Sequence, residues 1–183
     1  MQITIPSYID IQFLANKVGM STNWGYLAVP DTPDMVTIEV PASYYSAIEA
    51  ALLTYDVDYL AYRKNKRLED VAAVRRVKEL AGPNGLTLDD KTIARLTAAS
   101  LGLLIDETRQ SLNWELQRGV FVELPRNTVL QLAVGAVNKV QACFDTVKTK
   151  TIAIKAIELV DFESLDAALD ALAAIDIESG WPA

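Results

Sequence analysis

Residues 129–147, VLQLAVGAVNKVQACFDTV, decide the fold class of this 183-residue chain. One set of apolar positions recurs there at alternating spacings of four and three: Val129, Ala133, Ala136, Val140, Cys143 and Val147. Such heptad spacing is typical of a helix that packs along one side. Further apolar residues, at 130, 132, 134, 137 and 144, widen the stripe. We therefore predict a long helix buried on a broad face of a helical bundle, with a dimeric or trimeric coiled coil as the alternative. Cys143, among these apolar neighbours, is expected to be a small buried hydrophobe.

A β-hairpin is predicted directly before this helix. Two short β-prone runs, LNWEL at 112–116 and VFVEL at 120–124, are separated by three residues that end in Gly119. Three-residue hairpin loops commonly carry Gly at the left-handed position. Pro125 and the polar residues after it end the second run and begin the long helix. The sequence thus predicts a hairpin over 112–124.

Three further helical regions are predicted outside the long helix. The first begins at Pro41 or at a capping box over 46–49 and continues to Leu80, where the Gly82–Gly85 break stops it. The second follows a capping box over 87–90, and the last spans 164–174. Residues 1–40 are predicted as β and loop, with strands at 2–5 and 35–40. The expected fold class is mainly α (α+β): a helical bundle with one short hairpin and a small β-containing N-terminal region. We expect two domains, 1–60 and 61–183.

Composition excludes several classes of site. The chain has no His, so it lacks the base of a Ser-His-Asp triad and any imidazole metal ligand. Its single Cys cannot form an intramolecular disulfide or a zinc ribbon. Carboxylate pairs occur at Asp56/Asp58 and Asp89/Asp90, but the second lies where helix starts prefer acids. We predict no catalytic, cofactor-binding or metal-binding residues; a small hydrolase that uses these carboxylates is the enzyme alternative.

The net charge of −7 is unevenly distributed along the chain. Residues 1–62 and 156–183 are acidic, and residues 63–155 are basic, with seven Lys and Arg between Arg63 and Lys78. A basic helix can bind nucleic acid or acidic lipid. Glu69, Asp70 and Glu79 dilute this charge, and no aromatic is interleaved within the run. We therefore favour a solvated face or a partner for the acidic parts of the chain. We expect no nucleic-acid partner. We expect no membrane partner either, since no apolar stretch is long enough to span a bilayer and the N-terminus does not resemble a signal peptide.

Aromatic residues point to protein contacts. All seven tyrosines lie within the first 62 residues. Tyr and Trp are favoured at interfaces because they bury a large area at low entropic cost. We predict five partner-binding residues: Trp24, Tyr26, Tyr44, Tyr45 and Trp181. Trp181, which precedes a Pro near the chain end, is also expected to dock its indole back on the bundle.

From about Leu68 to Pro182 the layout resembles an uncharacterised C-terminal domain family of tailed-bacteriophage tail-fibre and tail-region proteins. The resemblance is carried by an Arg-rich helix at 74–78, DDKT at 89–92, NWEL at 113–116 and GVFVEL at 119–124. It continues through VQACF at 140–144 to the ending DIESGWP at 176–182.

This resemblance implies a non-enzymatic structural component of the phage tail: a tail fibre, fibre-attachment or baseplate-associated protein. It would be made in the host cytoplasm and retained in the virion. Its expected partners are other tail and fibre proteins, and copies of itself in a homo-oligomer. A tail-fibre assembly factor that leaves before the virion matures is the alternative.

Overall fold

The fold is mainly α with a small β component, as the sequence predicts. The structure, a computed structural model, describes residues 1–21, 26–28, 34–82, 86–117 and 119–182. The strands described are β1 (Gln2–Pro6), β2 (Tyr26–Ala28), β3 (Met35–Glu39), β4 (Ser111–Gln117) and β5 (Val120–Pro125). The α-helices described are α1 (Ile11–Lys17), α2 (Tyr45–Leu53), α3 (Tyr55–Leu80), α4 (Asp90–Ile105), α5 (Arg126–Lys155) and α6 (Leu165–Ala174). Short 3-10 helices span Ala42–Tyr44 and Leu159–Asp161.

The N-terminal strands form an antiparallel sheet in the order β1-β3-β2. The register places Ile3 opposite Ile38, and both side chains are buried, as is that of Ile5. Alternating residues of a strand point to opposite faces, so one face of β1 lies in the core and the other does not. The two strands predicted at 2–5 and 35–40 are confirmed.

Helix α1 corrects the expectation of β and loop over residues 1–40. The carboxylate of Asp10 accepts a 3.0 Å hydrogen bond from the main-chain N–H of Phe13 and caps the first turn. Leu14 and Ala15 are fully buried, so packing stabilises a helix of only seven residues. The Gly and Pro residues that argue against a long helix all follow Val18, and Gly19 has the positive φ of +72° common just after a helix.

Both predicted capping boxes are wrong, although the helices themselves are present. Ser46 lies inside α2, which is entered through the 3-10 turn that follows Pro41; the alternative start at Pro41 is therefore confirmed. Thr87 pairs with Ala81 in an isolated β-bridge. Asp89 caps α4 instead, because its side chain accepts a 2.6 Å hydrogen bond from the N–H of Thr92.

Gly82 lies two residues after the end of α3, where the main chain passes close to residues 86–88. Its N–H donates to Leu86 O at 2.8 Å, and the N–H of Leu88 donates to Leu80 O at 2.9 Å. A Cβ at Gly82 would lie 2.5 Å from Leu88 Cγ and 2.6 Å from Leu86 O, closer than real Cβ atoms approach. Glycine is therefore required here for space. Residues 83–85 of the predicted break lie outside the described residues.

The hairpin and the long helix are confirmed. Strands β4 and β5 pair antiparallel with Trp114 opposite Val122, and Gly119 has the expected left-handed φ, +80°. Along α5 three members of the heptad set, Val129, Ala136 and Cys143, are buried, and the other three are half-buried. Burial raises the pKa of the Cys143 thiol, as expected for a small buried hydrophobe.

The chain divides into two compact units. The first comprises Met1–Arg63 and Glu158–Leu169; the second comprises Lys64–Ile157 and Asp170–Ala183. The domain division expected from the sequence, 1–60 and 61–183, stays a prediction.

Candidate functional site

Aromatic residues of the first unit form an internal cluster. The ring of Phe13 lies edge-on to Tyr55 and Tyr59, with centroids 5.7 and 5.1 Å away, and Tyr55 stacks on Tyr59 at 5.3 Å. The main-chain N–H of Asp10 donates to Tyr55 Oη at 2.6 Å, and burial raises the pKa of that hydroxyl. Such edge-on contacts add to the stabilisation from burial. Part of the aromatic excess in this region therefore builds the core.

Three of the four N-terminal residues predicted to bind a partner, Tyr26, Tyr44 and Tyr45, are among the described residues. Trp24 lies outside those residues. Tyr26 is in β2, where its backbone pairs with Ile38. Tyr44 and Tyr45 are adjacent and half-buried where the 3-10 turn enters α2. The negative charge of Glu49, one turn further along, raises the pKa of Tyr45. Their partner-binding role stays a prediction.

Trp181 docks within the second unit. Its indole Nε1 donates to Ile177 O at 2.8 Å, and Lys150 Nζ of α5 lies 5.7 Å from the ring centroid. The side chain is half-buried. The expectation that this indole packs back on the helices is confirmed, and its role in binding a partner stays a prediction.

Most residues of the ending DIESGWP, at 176–182, have a structural role in one turn. The Asp176 carboxylate accepts main-chain hydrogen bonds from Glu178 at 2.8 Å and Ser179 at 3.1 Å, and a further bond from the Ser179 hydroxyl. The Ser179 hydroxyl, and then the main-chain donors, lower the pKa of Asp176 to about 2. Gly180 follows with a φ of +75°, a conformation that favours glycine. Together these residues form a turn that presents Trp181.

Basic and hydroxyl side chains of α5 bind the main chain of this ending. Lys150 donates to Asp176 O at 2.7 Å and to Ser179 O at 2.9 Å. Thr146 donates to Gly180 O at 3.4 Å, and Lys139 to Pro182 O at 2.5 Å. The ending is thus held along three turns of α5.

Two basic residues of α3 bind the C-terminal ends of helices. Lys64 donates to Lys155 O and Ile157 O at 3.0 and 2.7 Å, at the end of α5. Arg67 donates to Ala173 O and Ile175 O at 3.2 and 2.6 Å, at the end of α6. Cations are favourable there because the last carbonyl groups lack helical partners. This part of the basic stretch therefore acts within the chain.

One carboxylate of each pair predicted from the sequence has a structural partner. Asp58 accepts a hydrogen bond from Lys17, which lowers the pKa of that carboxyl, and Asp89 caps α4. Among the residues described, no three His, Cys, Asp or Glu side chains lie close enough together to hold a metal ion.

An open apolar groove of about 760 Å³ runs between α4 and α5. The two helices run antiparallel: Arg126, at the start of α5, donates to Asp106 O just after α4, while Leu96 in mid-α4 packs with Ala136. Exposed apolar side chains line the groove, with Leu101 54%, Val137 67% and Phe144 47% exposed. The groove therefore leaves these apolar side chains open to solvent.

The groove walls carry almost no charge. Residues 96–105 of α4 and 127–138 of α5 contain no Asp, Glu, Lys or Arg. Lys139, the next residue of α5, is buried and bonded to Pro182. Sequence reasoning missed the groove because it assigned residues such as Val134 and Val137 to a buried stripe. The sequence pattern that could have predicted the groove is a second heptad set, shifted by one residue from the set that begins at Val129. Its members are Leu130, Val134, Val137, Gln141 and Phe144.

No helix within the described residues is both long and apolar enough to cross a bilayer. No curated protein sequence and no solved structure matches the chain. A family model does match, over residues 62–177, which is more than half of the chain and includes α4, β4, β5 and α5. By this match the chain belongs to the family described as domain of unknown function (DUF4376).

Proposed function

We propose that the protein is a non-enzymatic structural component of a bacteriophage tail and acts through protein–protein contacts. The observation that carries the proposal is the uncharged apolar groove between α4 and α5. Contiguous exposed apolar patches on soluble proteins mark contact sites, because leaving them in water is unfavourable. The tail setting rests on the resemblance of residues 68–182 to tail-region proteins.

The polar contacts support a structural role. Asp58, Asp89 and Asp176, whose carboxyl pKa values are all lowered, are each bound by a neighbouring donor of the chain. A general acid needs a raised pKa to hold its proton near neutral pH. These three carboxylates therefore suit folding and capping better than acid catalysis.

The proposed place of action is the tail fibre, its attachment site or the baseplate. The partners would be other tail and fibre proteins and sister copies, with no nucleic acid, membrane or cofactor involved. The second candidate is an assembly factor that binds the fibre through the same groove and then leaves. The groove favours it equally, since a transient partner also needs an apolar contact surface.

Mass spectrometry of purified particles tests the proposal. The particles come from the phage that encodes the chain, and the lysate of infected cells is measured in parallel. The proposal expects the chain in particles at a fixed ratio to the other tail proteins. Its presence in the lysate and absence from particles would overturn the structural role in favour of the assembly factor.

Carboxylate variants test the non-enzymatic part. Asp56→Asn and Asp90→Asn remove the members of the two pairs that do not bind Lys17 or cap α4. Infectivity should be unchanged for both. A folded variant that enters particles normally but abolishes infectivity would support the carboxylate hydrolase instead.

A further inference from the structure

We propose that a second copy of this chain occupies the α4–α5 groove, and that the two copies meet about a twofold axis near Val137. The inference rests on the proposed function, since it names the partner of the groove through which that function acts. It is carried by the spacing, charge and shape of the groove walls.

The spacing on α5 is that of a helix–helix seam. Leu130, Val134, Val137, Gln141 and Phe144 follow one another at intervals of four and three. Each of these residues lines the groove rather than the buried face of α5. A line with this repeat presents one row of side chains to another helix over its whole length. Four of its five members are apolar, and the polar one, Gln141, is uncharged.

The charge pattern favours a copy of the same chain. Two chains of net charge −7 repel each other overall, and a neutral facing surface reduces that repulsion at the contact. Residues 96–105 and 127–138 provide such a surface, because they contain no charged side chain. Identical neutral faces meet without like-charge repulsion.

The shape is self-complementary. The groove lies between two antiparallel helices, and Val134 and Val137 form the exposed ridge of its α5 wall. Helices pack by placing the ridge of one into the groove of another. In a twofold contact each copy supplies both elements. Val137 is the midpoint of the line from 130 to 144, so antiparallel pairing about it places Leu130 of one copy beside Phe144 of the other.

The mass of the purified full chain in solution, measured by light scattering during size-exclusion chromatography, tests the proposal. Wild-type chain should have twice the monomer mass of 20.1 kDa. Val137→Glu should have the monomer mass, because two carboxylates would be buried near the axis. The matched control is Val160→Glu, the same change at an 89% exposed valine in the first unit, and it should remain a dimer. Matching far-UV circular dichroism spectra show that the variants keep the fold; their melting temperatures should differ, because association stabilises the folded state.

Mixing two variants with opposite charges at position 137 distinguishes a twofold dimer from contacts that do not bring the two copies of residue 137 together. Val137→Lys alone should also be monomeric. An equimolar mixture of Val137→Glu and Val137→Lys should recover the dimer mass, since opposite charges then meet at the axis. A wild-type mass other than two copies, a dimeric Val137→Glu chain or a monomeric mixture would each overturn the proposal.

The solution mass and the protein content of virions test the dimer and the tail role separately. A monomer in solution that is nevertheless found in virions overturns the second copy and leaves the tail role, with a helix of another tail protein as the occupant of the groove. A dimer that is absent from virions confirms the second copy and overturns the structural tail role.

Discussion

The ammonium group of Lys139 donates a 2.5 Å hydrogen bond to the main-chain carbonyl oxygen of Pro182. Lys139 is 9% exposed, so its charge would be costly to bury without this acceptor. The bond lies one residue after Trp181 and joins the middle of α5 to the end of the described chain. Helix and ending therefore stabilise each other.

Lys139→Met should weaken the attachment of the ending to α5, where Lys150 still binds Asp176 O and Ser179 O. Losing a hydrogen bond to a charged group costs about 2 kcal/mol of unfolding free energy. Amide hydrogen exchange at Glu178 to Trp181 should also accelerate relative to wild type. Lys148→Met is the control, because Lys148 is an exposed lysine of the same helix. Unchanged exchange at the ending in Lys139→Met would contradict the assigned role of this contact.

Trp181→Ala should lower the melting temperature, since the indole is half-buried against the second unit. A loss of about 2 kcal/mol is expected, below the range for a fully buried Trp. Trp181→Phe keeps most of the ring and loses only the bond to Ile177 O, so it should cost less. If Trp181→Ala melts like wild type, the indole does not contribute to stability.

Two glycine substitutions should change the free energy of unfolding in opposite directions. Gly82→Ala forces a Cβ against Leu88 and Leu86 and should destabilise the chain by about 1–3 kcal/mol. Gly102→Ala, inside α4, meets nothing within 4 Å and should stabilise it by about 0.5–1 kcal/mol. Denaturant unfolding at one protein concentration measures both. Equal effects would show that the close contact at Gly82 is absent in solution.

The turn at Asp176 predicts a pH dependence. Its folded-state pKa of about 2 lies below its ordinary value of 3.8, so the folded state favours the carboxylate. Its contribution to stability is complete above pH 3.8 and is lost as the pH falls towards 2.

A carbon-13 NMR titration of the Asp176 carboxyl checks this. The midpoint should be about 2 in wild type and should rise in Ser179→Ala, because the Ser179 hydroxyl is the largest cause of the shift. Asp176→Asn, which removes the titrating group, should flatten the stability curve in the same window. A wild-type midpoint near 3.8 would contradict the turn.

Features that depend on local periodicity could be predicted from the sequence. The strands of the hairpin and the helix of residues 126–155 follow from alternation, a left-handed Gly119 and heptad spacing, all of which are local. Short helix α1 could not be predicted this way. Its seven residues are too few to show a period, and its stability comes from burial of Leu14 and Ala15.

Helix starts were predicted with less success, because several nearby residues can serve as a cap. Thr87 and Asp89 are both good N-cap types, and the bridge between Ala81 and Thr87 decides in favour of Asp89. That bridge forms where the main chain at Gly82 approaches Leu86. A capping motif describes only neighbouring residues of the sequence, so it does not predict this contact.

The candidate site was the least predictable feature. Val134 and Val137 have the same hydrophobicity as their buried neighbour Val129, so composition cannot distinguish groove from core. The exposure of a residue on α5 depends on which side of the helix packs against α4 and which side binds residues 176–182. Lys139 illustrates this dependence, because a lysine is expected at the surface yet lies buried beneath Pro182.

Photo-crosslinking from position 137 in assembled particles tests the central claim most directly. A photoreactive residue replaces Val137 in one phage and Val160, as control, in another. The proposed role predicts crosslinks from position 137 to a protein chain of the tail, with position 137 of a second copy among them. Particles that contain the chain but yield no protein crosslink from position 137 would contradict it.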